Sequence, residues 1–346
     1  MLYMFYKKIR IRHFSFLCSV LLLTLFLTSC SHVYSPISKT GLYFDTVITI
    51  TIYDKEKEAC LDECMRLAQK YENIFSPTLK GSDIWNINHS NGQPVPVSDE
   101  TIYLIETALS YCELTDGAID LTINTVSELW DFHGTKTTSS TNSPKDSISR
   151  VPEKASIAEA LSHVDYHNLI IEGNTVTLTD PNASISLGFI AKGYIADKMK
   201  EYLVSQKVES AIINLGGNLL AVGSKPDNSP FQFGIQKPFD EQGALITKVS
   251  VSDISAVSSG VYERYFYEND VLYHHILNPK TGYPVQSELL GVTILSDSST
   301  TGDALSTTCL VLGLEDGMLL IESLDGIEAI FITDDYSLHY TTGIEP

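Results

Sequence analysis

Asp303 and Thr307 stand four residues apart in the run Thr300-Thr301-Gly302-Asp303-Ala304-Leu305-Ser306-Thr307-Thr308. If this run opens a helix, positions i and i+4 share a face, so one carboxylate and one hydroxyl point the same way. With a backbone carbonyl nearby, that oxygen set suits a hard cation such as Mg²⁺, which keeps open positions for phosphate and water. A simple capping motif would use the same residue types. A second run, Ser186-Leu187-Gly188-Phe189-Ile190-Ala191-Lys192-Gly193-Tyr194, passes from strand through turn to helix. Free N–H groups at a helix start and the point charge of Lys192 suit a phosphate, while the spacing is not that of a Walker loop. In a third run, His274-His275-Ile276-Leu277-Asn278-Pro279-Lys280-Thr281-Gly282-Tyr283-Pro284, two imidazoles precede a rigid Asn-Pro and Thr-Gly turn. Histidine holds or moves a proton near neutral pH. Strand neighbours face opposite ways, so only one of the two can face a site.

Two shorter runs spend glycine and charge inside apolar surroundings. Thr115-Asp116-Gly117-Ala118-Ile119-Asp120 makes a polar corner before a helix expected over 121–130. Asn214-Leu215-Gly216-Gly217-Asn218 pairs two glycines between strands, which permits positive φ and close backbone approach. Taken singly, the first also reads as a solvated turn and the second as a plain hairpin.

The elements that must position these runs show in the periodicity. Ile48, Ile50 and Ile52 alternate with Thr49, Thr51 and Tyr53, which predicts a half-buried strand over 42–53. Helical spacing of Leu61, Cys64, Ala68, Tyr71 and Phe75 predicts a helix over 56–75. Ser98 is a helix cap followed by Asp99 and Glu100, which suit the dipole. Hairpins are expected at 168–172 with 175–179, 210–214 with 219–223, and 261–268 with 271–277. Further helices are expected at 189–204, 301–312 and 315–323. Residues 134–151 are nearly devoid of apolar side chains and read as a surface loop. Strands and helices mix without a βαβ rhythm, so the class is α+β.

The N-terminus points outside the cytoplasm. Lys7, Lys8, Arg10 and Arg12 precede an apolar run from Phe14 to Leu27, the order of a signal peptide. The run is shorter than the about 20 apolar residues of a membrane span. It ends Leu27-Thr28-Ser29-Cys30, similar to a bacterial lipobox in which the Cys30 thiol is acylated. The expected organisation is a leader over 1–29, a lipid-anchored tether over 30–41 and a domain over 42–346. The whole chain has 23 basic and 43 acidic residues; removing the four basic residues of the leader leaves 19 against 43, a net charge of −24. Such a chain is repelled by nucleic acid and anionic lipid, so neither is an expected partner. Cys60, Cys64, Cys112 and Cys309 lack the spacing of a zinc site and read as buried apolar fillers.

In combination, these runs resemble the FAD:protein FMN transferase family of ApbE-like lipoproteins. Its patterns occur here in the same order: D-G-A-x-D at 116–120, L-G-x-x-A-K-G-Y at 187–194, N-L-G-G at 214–217, S-G-x-Y-E-R at 259–264, H-I-x-x-P-x-T-G-Y-P at 275–284 and D-A-x-x-T at 303–307. The resemblance covers roughly residues 42–335. It implies two interlocked lobes of mixed or antiparallel sheet with helices, and a cofactor cleft between them. It also implies Mg²⁺-dependent transfer of FMN from FAD to a Ser or Thr of an acceptor protein, a membrane electron-transport subunit, with release of AMP. By the same resemblance Ala118, Ile119 and Asp120 match a flavin or adenine contact and Lys192 a diphosphate contact. Asp303 and Thr307 match Mg²⁺ ligands, with a backbone carbonyl near Phe189 as a third. His275 matches the catalytic base and, with Ile276, lies against the cofactor; a base of pKa near ambient pH is most effective. Phe44 and Thr78 fall where the family places other cofactor contacts. The chain departs from the pattern at Ser186, where many members have Asp, at Leu121 in place of Pro and at Asn218 in place of Asp. The same residues would also serve an FAD diphosphatase, with water as acceptor, or a non-catalytic FAD-binding lipoprotein.

Overall fold

In the computed structural model, which describes residues 35–130, 132, 150–241 and 243–344, Ile48, Ile50 and Ile52 are buried on one face of a strand, as their alternation requires. The strand is shorter than expected. Phe44 and Asp45 take positive φ, 52° and 55°, and turn the chain back on itself. Two strands result, β1 (Ile37–Tyr43) and β2 (Thr46–Ile52), paired antiparallel. β1 therefore takes up residues 37–41, which the sequence reading gave to the tether. The leader, Cys30 and residues 134–149 of the expected loop lie outside the described residues.

Helix α1 (Glu58–Phe75) buries the expected stripe. Next come α2 (Asp83–Asn88), β3 (Val95–Pro96) and α3 (Asp99–Leu114), the last capped by the Ser98 hydroxyl, which accepts from Thr101 N–H. The span 121–130 is not one helix. Asp120 caps a 3₁₀ turn (Leu121–Ile123) that runs into a single helical turn, α4 (Asn124–Ser127). Beyond α5 (Lys154–Leu161), β4 (Leu169–Glu172) and β5 (Thr175–Leu178) form the expected hairpin, with β3 beside β5. Helix α6 (Ala191–Ser205) precedes β6 (Ser210–Leu215) and β7 (Asn218–Gly223). A separate ribbon of β8 (Phe231–Gln236) and β9 (Leu245–Val251) follows. The chain continues through β10 (Ser255–Gly260), β11 (Tyr265–Glu268), β12 (Val271–His274) and β13 (Leu289–Ser296). It closes with α7 (Ser299–Leu312), α8 (Leu314–Glu322), β14 (Glu328–Thr333) and β15 (Leu338–Tyr340). The third expected hairpin is shorter than 261–268 with 271–277. Glu263 N–H turns back to the Gly260 carbonyl at 3.3 Å, so pairing starts only at Tyr265 and stops at His274.

Eight strands make one antiparallel sheet in the order β1-β2-β6-β7-β10-β13-β14-β15. Its two faces follow the period of two. Leu220 and Val222 join the core beneath α1, α3 and α6, whereas Ala221 faces Phe231, Phe233 and Ile235 of the ribbon. On the helix side α7 and α8 pack over β13 and β14 through Leu305, Cys309, Val292 and Phe331. Each fully buried side chain of this size contributes about 1.5–3 kcal/mol. Cys60, Cys64, Cys112 and Cys309 are free and buried, as expected of fillers. The α+β class holds. From residue 36 onward the chain clusters as one compact unit, so the expected division into two lobes is not seen at that level.

Candidate active site

Gly193 brings α6 and α7 together. A Cβ there would lie 2.2 Å from the Ser299 carbonyl oxygen, so only glycine allows this approach. The first turn of a helix has N–H groups without intrahelical acceptors. Gly193 N–H donates a hydrogen bond to Asp303 Oδ2 at 2.9 Å, and Lys192 Nζ lies 3.4 Å from Asp303 Oδ1. Burial raises the Asp303 pKa; the Lys192 ammonium and then the Gly193 N–H oppose the rise. Thr307 is one turn further along α7. Its Oγ1 is 3.2 Å from Ser259 Oγ, which also lies 2.7 Å from Ser306 Oγ. The end of β10, the start of α6 and the second and third turns of α7 thus meet at one place.

The donor set suits a hard divalent cation. Asp303 supplies carboxylate oxygen and Thr307 a hydroxyl. Among the described residues no backbone N–H donates to the Phe189 carbonyl. Its usual helical donor would be Gly193 N–H, and that proton is turned to Asp303 instead. A carboxylate, a hydroxyl and a free carbonyl are the oxygen ligands Mg²⁺ accepts, and three ligands leave positions for phosphate and water. No group of three or more His, Cys, Asp or Glu that could hold a metal occurs among the described residues, which makes a site rich in soft or nitrogen ligands the poorer fit.

Asp197 is a positioning residue that sequence reasoning missed. Helix α7 starts at Ser299, two residues before expectation. Asp197, on α6, accepts from Ser299 N–H at 2.8 Å, Thr300 N–H at 2.9 Å, Ser298 Oγ at 3.0 Å and Thr300 Oγ1 at 2.6 Å. It satisfies donors that every helix start leaves open. Its only trace in the sequence is its place at i+4 from Gly193, on the same face of α6. A cleft of about 460 Å³ lies beside it, bounded by Tyr103, Tyr194 and Lys198. None of the sequence-predicted site residues lines that cleft, so its size does not make it the site.

The two histidines diverge as strand geometry requires. His274 is buried and its Nε2 lies 3.1 Å from the Val285 carbonyl, so Nε2 carries the proton. Burial pushes its pKa down to about 4. His275 retains partial exposure. Its backbone N–H donates to the Arg264 carbonyl at 3.1 Å, and its Nδ1 is 3.3 Å from the same oxygen. Nδ1–H donating there leaves Nε2 as the free acceptor. Burial among protein atoms, then the charge of Arg264, pushes its pKa down to about 3; Lys192 contributes in the same direction. The expectation of a pKa near ambient pH is therefore corrected: in the unliganded protein the ring is neutral and a weak base.

Asp120 holds the corner in place. Oδ1 accepts from Thr122 N–H at 2.8 Å and Thr122 Oγ1 at 2.6 Å, and Oδ2 accepts from Tyr166 N–H at 3.0 Å. Ser186 N–H donates to the Leu121 carbonyl at 3.0 Å, which joins the corner to the Gly-Lys loop. Ser186 Oγ accepts from Gly188 N–H at 3.2 Å. Trp130 Nε1 donates to the Gly282 carbonyl at 3.1 Å. A cleft of about 220 Å³ runs between the corner and the Asn-Pro turn, with Gly117, Asp120, Tyr166, Pro279 and Lys280 on its walls. Ala118 is half-buried in the corner, and Ile119 and Ile276 are buried beside these segments. Phe44 N–H donates to Glu72 Oε1 at 2.7 Å, and Thr78 N–H to Ser76 Oγ at 3.3 Å. Among the described residues no hydrogen bond or ion pair joins Phe44 or Thr78 to Lys192, Asp303 or His275.

Residues 44–331 match the ApbE family. A protein of Klebsiella pneumoniae (strain 342) named FAD:protein FMN transferase is 35% identical over 86% of this chain and 89% of its own. A Treponema pallidum (strain Nichols) protein of the same name is 31% identical over 89% of this chain and 87% of its own. Among solved structures, the ApbE protein of Thermotoga maritima superposes with a TM-score of 0.79 at 29% identity, covering 89% of this chain and 98% of that one. Flavin transferase ApbE from Vibrio cholerae gives 0.75 at 27%, covering 89% and 97%.

Proposed function

This chain belongs to the ApbE family, and on that premise we propose that it transfers FMN from FAD to a Ser or Thr hydroxyl of another protein, with Mg²⁺ held by Asp303, Thr307 and the Phe189 carbonyl. The observation that carries the reading is the meeting of Asp303 with Gly193 N–H and Lys192 Nζ. That contact sets a cation-binding carboxylate against a loop suited to phosphate. Bound Mg²⁺ would supply charge neutralisation at the diphosphate, which an acidic chain otherwise lacks. Lys192 adds its own positive charge on the diphosphate side. The acceptor hydroxyl forms an O–P bond to the FMN-side phosphorus while the P–O–P bond to AMP breaks and its electron pair leaves on the AMP phosphate. The hydroxyl proton passes to His275 Nε2, which the Arg264 carbonyl keeps oriented through Nδ1. The free-state pKa of about 3 rises as the negative diphosphate enters, because a nearby opposite charge favours the protonated ring. The corner at Ala118, Ile119 and Asp120, with Ser186, Ile276, Phe44 and Thr78, completes the FAD contacts in this reading. Cys30 anchors the protein by lipid at the outer face of the cell membrane, within reach of a membrane electron-transport acceptor.

The reading is tested by following AMP. Incubation with FAD, Mg²⁺ and an acceptor protein is expected to release AMP in step with acceptor labelling. EDTA abolishes the release and excess Mg²⁺ restores it; release indifferent to the chelator would remove the metal from the proposal.

A further inference from the structure

Arg264 and His275 flank the open end of the β11–β12 hairpin, and both the backbone N–H and Nδ1 of His275 lie against the Arg264 carbonyl. The register ends at Tyr265 with His274, and one step beyond it His275 N–H donates to the Arg264 carbonyl at 3.1 Å, so the two residues stand opposite one another where the ladder stops. Opposed residues of an antiparallel pair put their side chains on one face. Arg264 is thus on the face of His275, opposite to that of Tyr265 and the buried His274. Its side chain is half-buried, and among the described residues no carboxylate forms an ion pair with its guanidinium and no acceptor takes a hydrogen bond from it. In a chain with 23 basic and 43 acidic residues, that is an unusual state for a cation. Lys192, the other cation acting on His275, already has Asp303 as partner.

A half-buried guanidinium without an anion is costly, and a phosphate answers its fork of donors two at a time. The base must stand beside the hydroxyl it deprotonates, and that hydroxyl attacks the FMN-side phosphorus. A cation fixed next to the base therefore lies at the attacked phosphoryl group. We propose that Arg264 is a further catalytic residue, whose guanidinium grips the FMN-side phosphate and stabilises the charge that develops on it during transfer. This rests on the transferase reading above. It gives Arg264 and Lys192 separate tasks: Arg264 serves the group being transferred, and Lys192 serves the diphosphate beside Asp303.

The test compares flavins with and without that phosphate on the full chain. Binding of riboflavin and of FMN is followed by flavin fluorescence in Mg²⁺ for the unmodified protein, Arg264→Met and Arg264→Lys, with FAD turnover measured alongside. The unmodified protein is expected to bind FMN at least about tenfold more tightly than riboflavin, the range of a charged hydrogen bond. Arg264→Met loses about tenfold or more of that preference and leaves riboflavin affinity unchanged. Its kcat for transfer falls about 10²–10³-fold, the range for losing one preorganised donor, while the Mg²⁺ concentration for half-maximal rate stays put. Arg264→Lys recovers part of both. An FMN-to-riboflavin ratio equal in the unmodified protein and Arg264→Met would overturn the assignment. So would an unmodified protein with no FMN preference, a result that does not depend on any variant folding. An unmodified protein that binds neither FAD nor FMN would instead sink the transferase reading itself.

Discussion

His275 shows how surroundings set the chemistry of one side chain. Burial of its ring, and after that the positive charge of Arg264, lowers its pKa in the free protein to about 3. The acid limb of kcat/KM reports groups of the free enzyme. Any limb belonging to His275 is therefore expected well below the ordinary value of 6.5, because the competent neutral ring persists as pH falls. A limb near 6.5 that vanishes in His275→Ala would contradict this placement. His275→Ala is expected to keep FAD affinity and lose about 10²–10⁴-fold in transfer rate. FAD titration by fluorescence alongside turnover checks it; equal loss of both would assign the ring to binding instead. Several of these residue-scale features were legible in the sequence. Asp303 and Lys192 could be singled out by type and neighbours, and the divergence of His274 and His275 followed from strand geometry. The depressed pKa was not legible, since it depends first on how the fold buries the ring and then on the nearby charge of Arg264.

At the scale of elements, Asp197 ties α6 to α7 by taking four donors at the start of α7. Asp197→Ala leaves those donors open. Loss of a cap costs about 0.5–2 kcal/mol, and the partly buried charged hydrogen bonds add to it. The expected outcome is a lowered melting temperature together with a higher Mg²⁺ concentration for half-maximal turnover, because α7 carries Asp303 and Thr307. Asp197→Asn is expected to recover part of both. A melting change with no shift in Mg²⁺ requirement would confine Asp197 to stability. Elements with strong periodicity, such as α1 and the strands on either side of Gly216 and Gly217, were legible from the chain. The break at Phe44 and Asp45 was not, since neither residue advertises positive φ in an otherwise alternating run. The ribbon of β8 and β9 also escaped. Its apolar face, Phe231, Phe233 and Ile235, is short and makes sense only against the underside of the sheet at Ala221 and Ala256. Asp197 escaped for the same reason: what it caps lies about a hundred residues further along the chain.

For the molecule as a whole, His274 and His275 link stability to acidity. His274 has a pKa of about 4 in the fold against 6.5 ordinarily. Between those values the unfolded chain takes up a proton that the folded chain refuses. Its contribution is thus fully present above pH 6.5 and is lost as pH falls towards 4, by roughly 3 kcal/mol in all. His275 acts in the same direction. His274→Gln removes one of the two titrations, so the drop in melting temperature between pH 7 and pH 5, measured by circular dichroism, is expected to shrink; an unchanged drop would contradict the burial argument. The net charge of −20 matters at this scale too. It sets the whole chain against binding an anionic cofactor, and in the proposed reading Lys192, Arg264 and a bound cation are the groups that would oppose that field locally. The most direct measurement is intact-mass spectrometry of a membrane electron-transport acceptor after incubation with this protein, FAD and Mg²⁺. The expected result is a gain of one FMN less one water on a Ser or Thr, absent with EDTA and with Asp303→Asn. FAD cleaved to FMN and AMP with the acceptor mass unchanged, or labelling undiminished in Asp303→Asn, would contradict it.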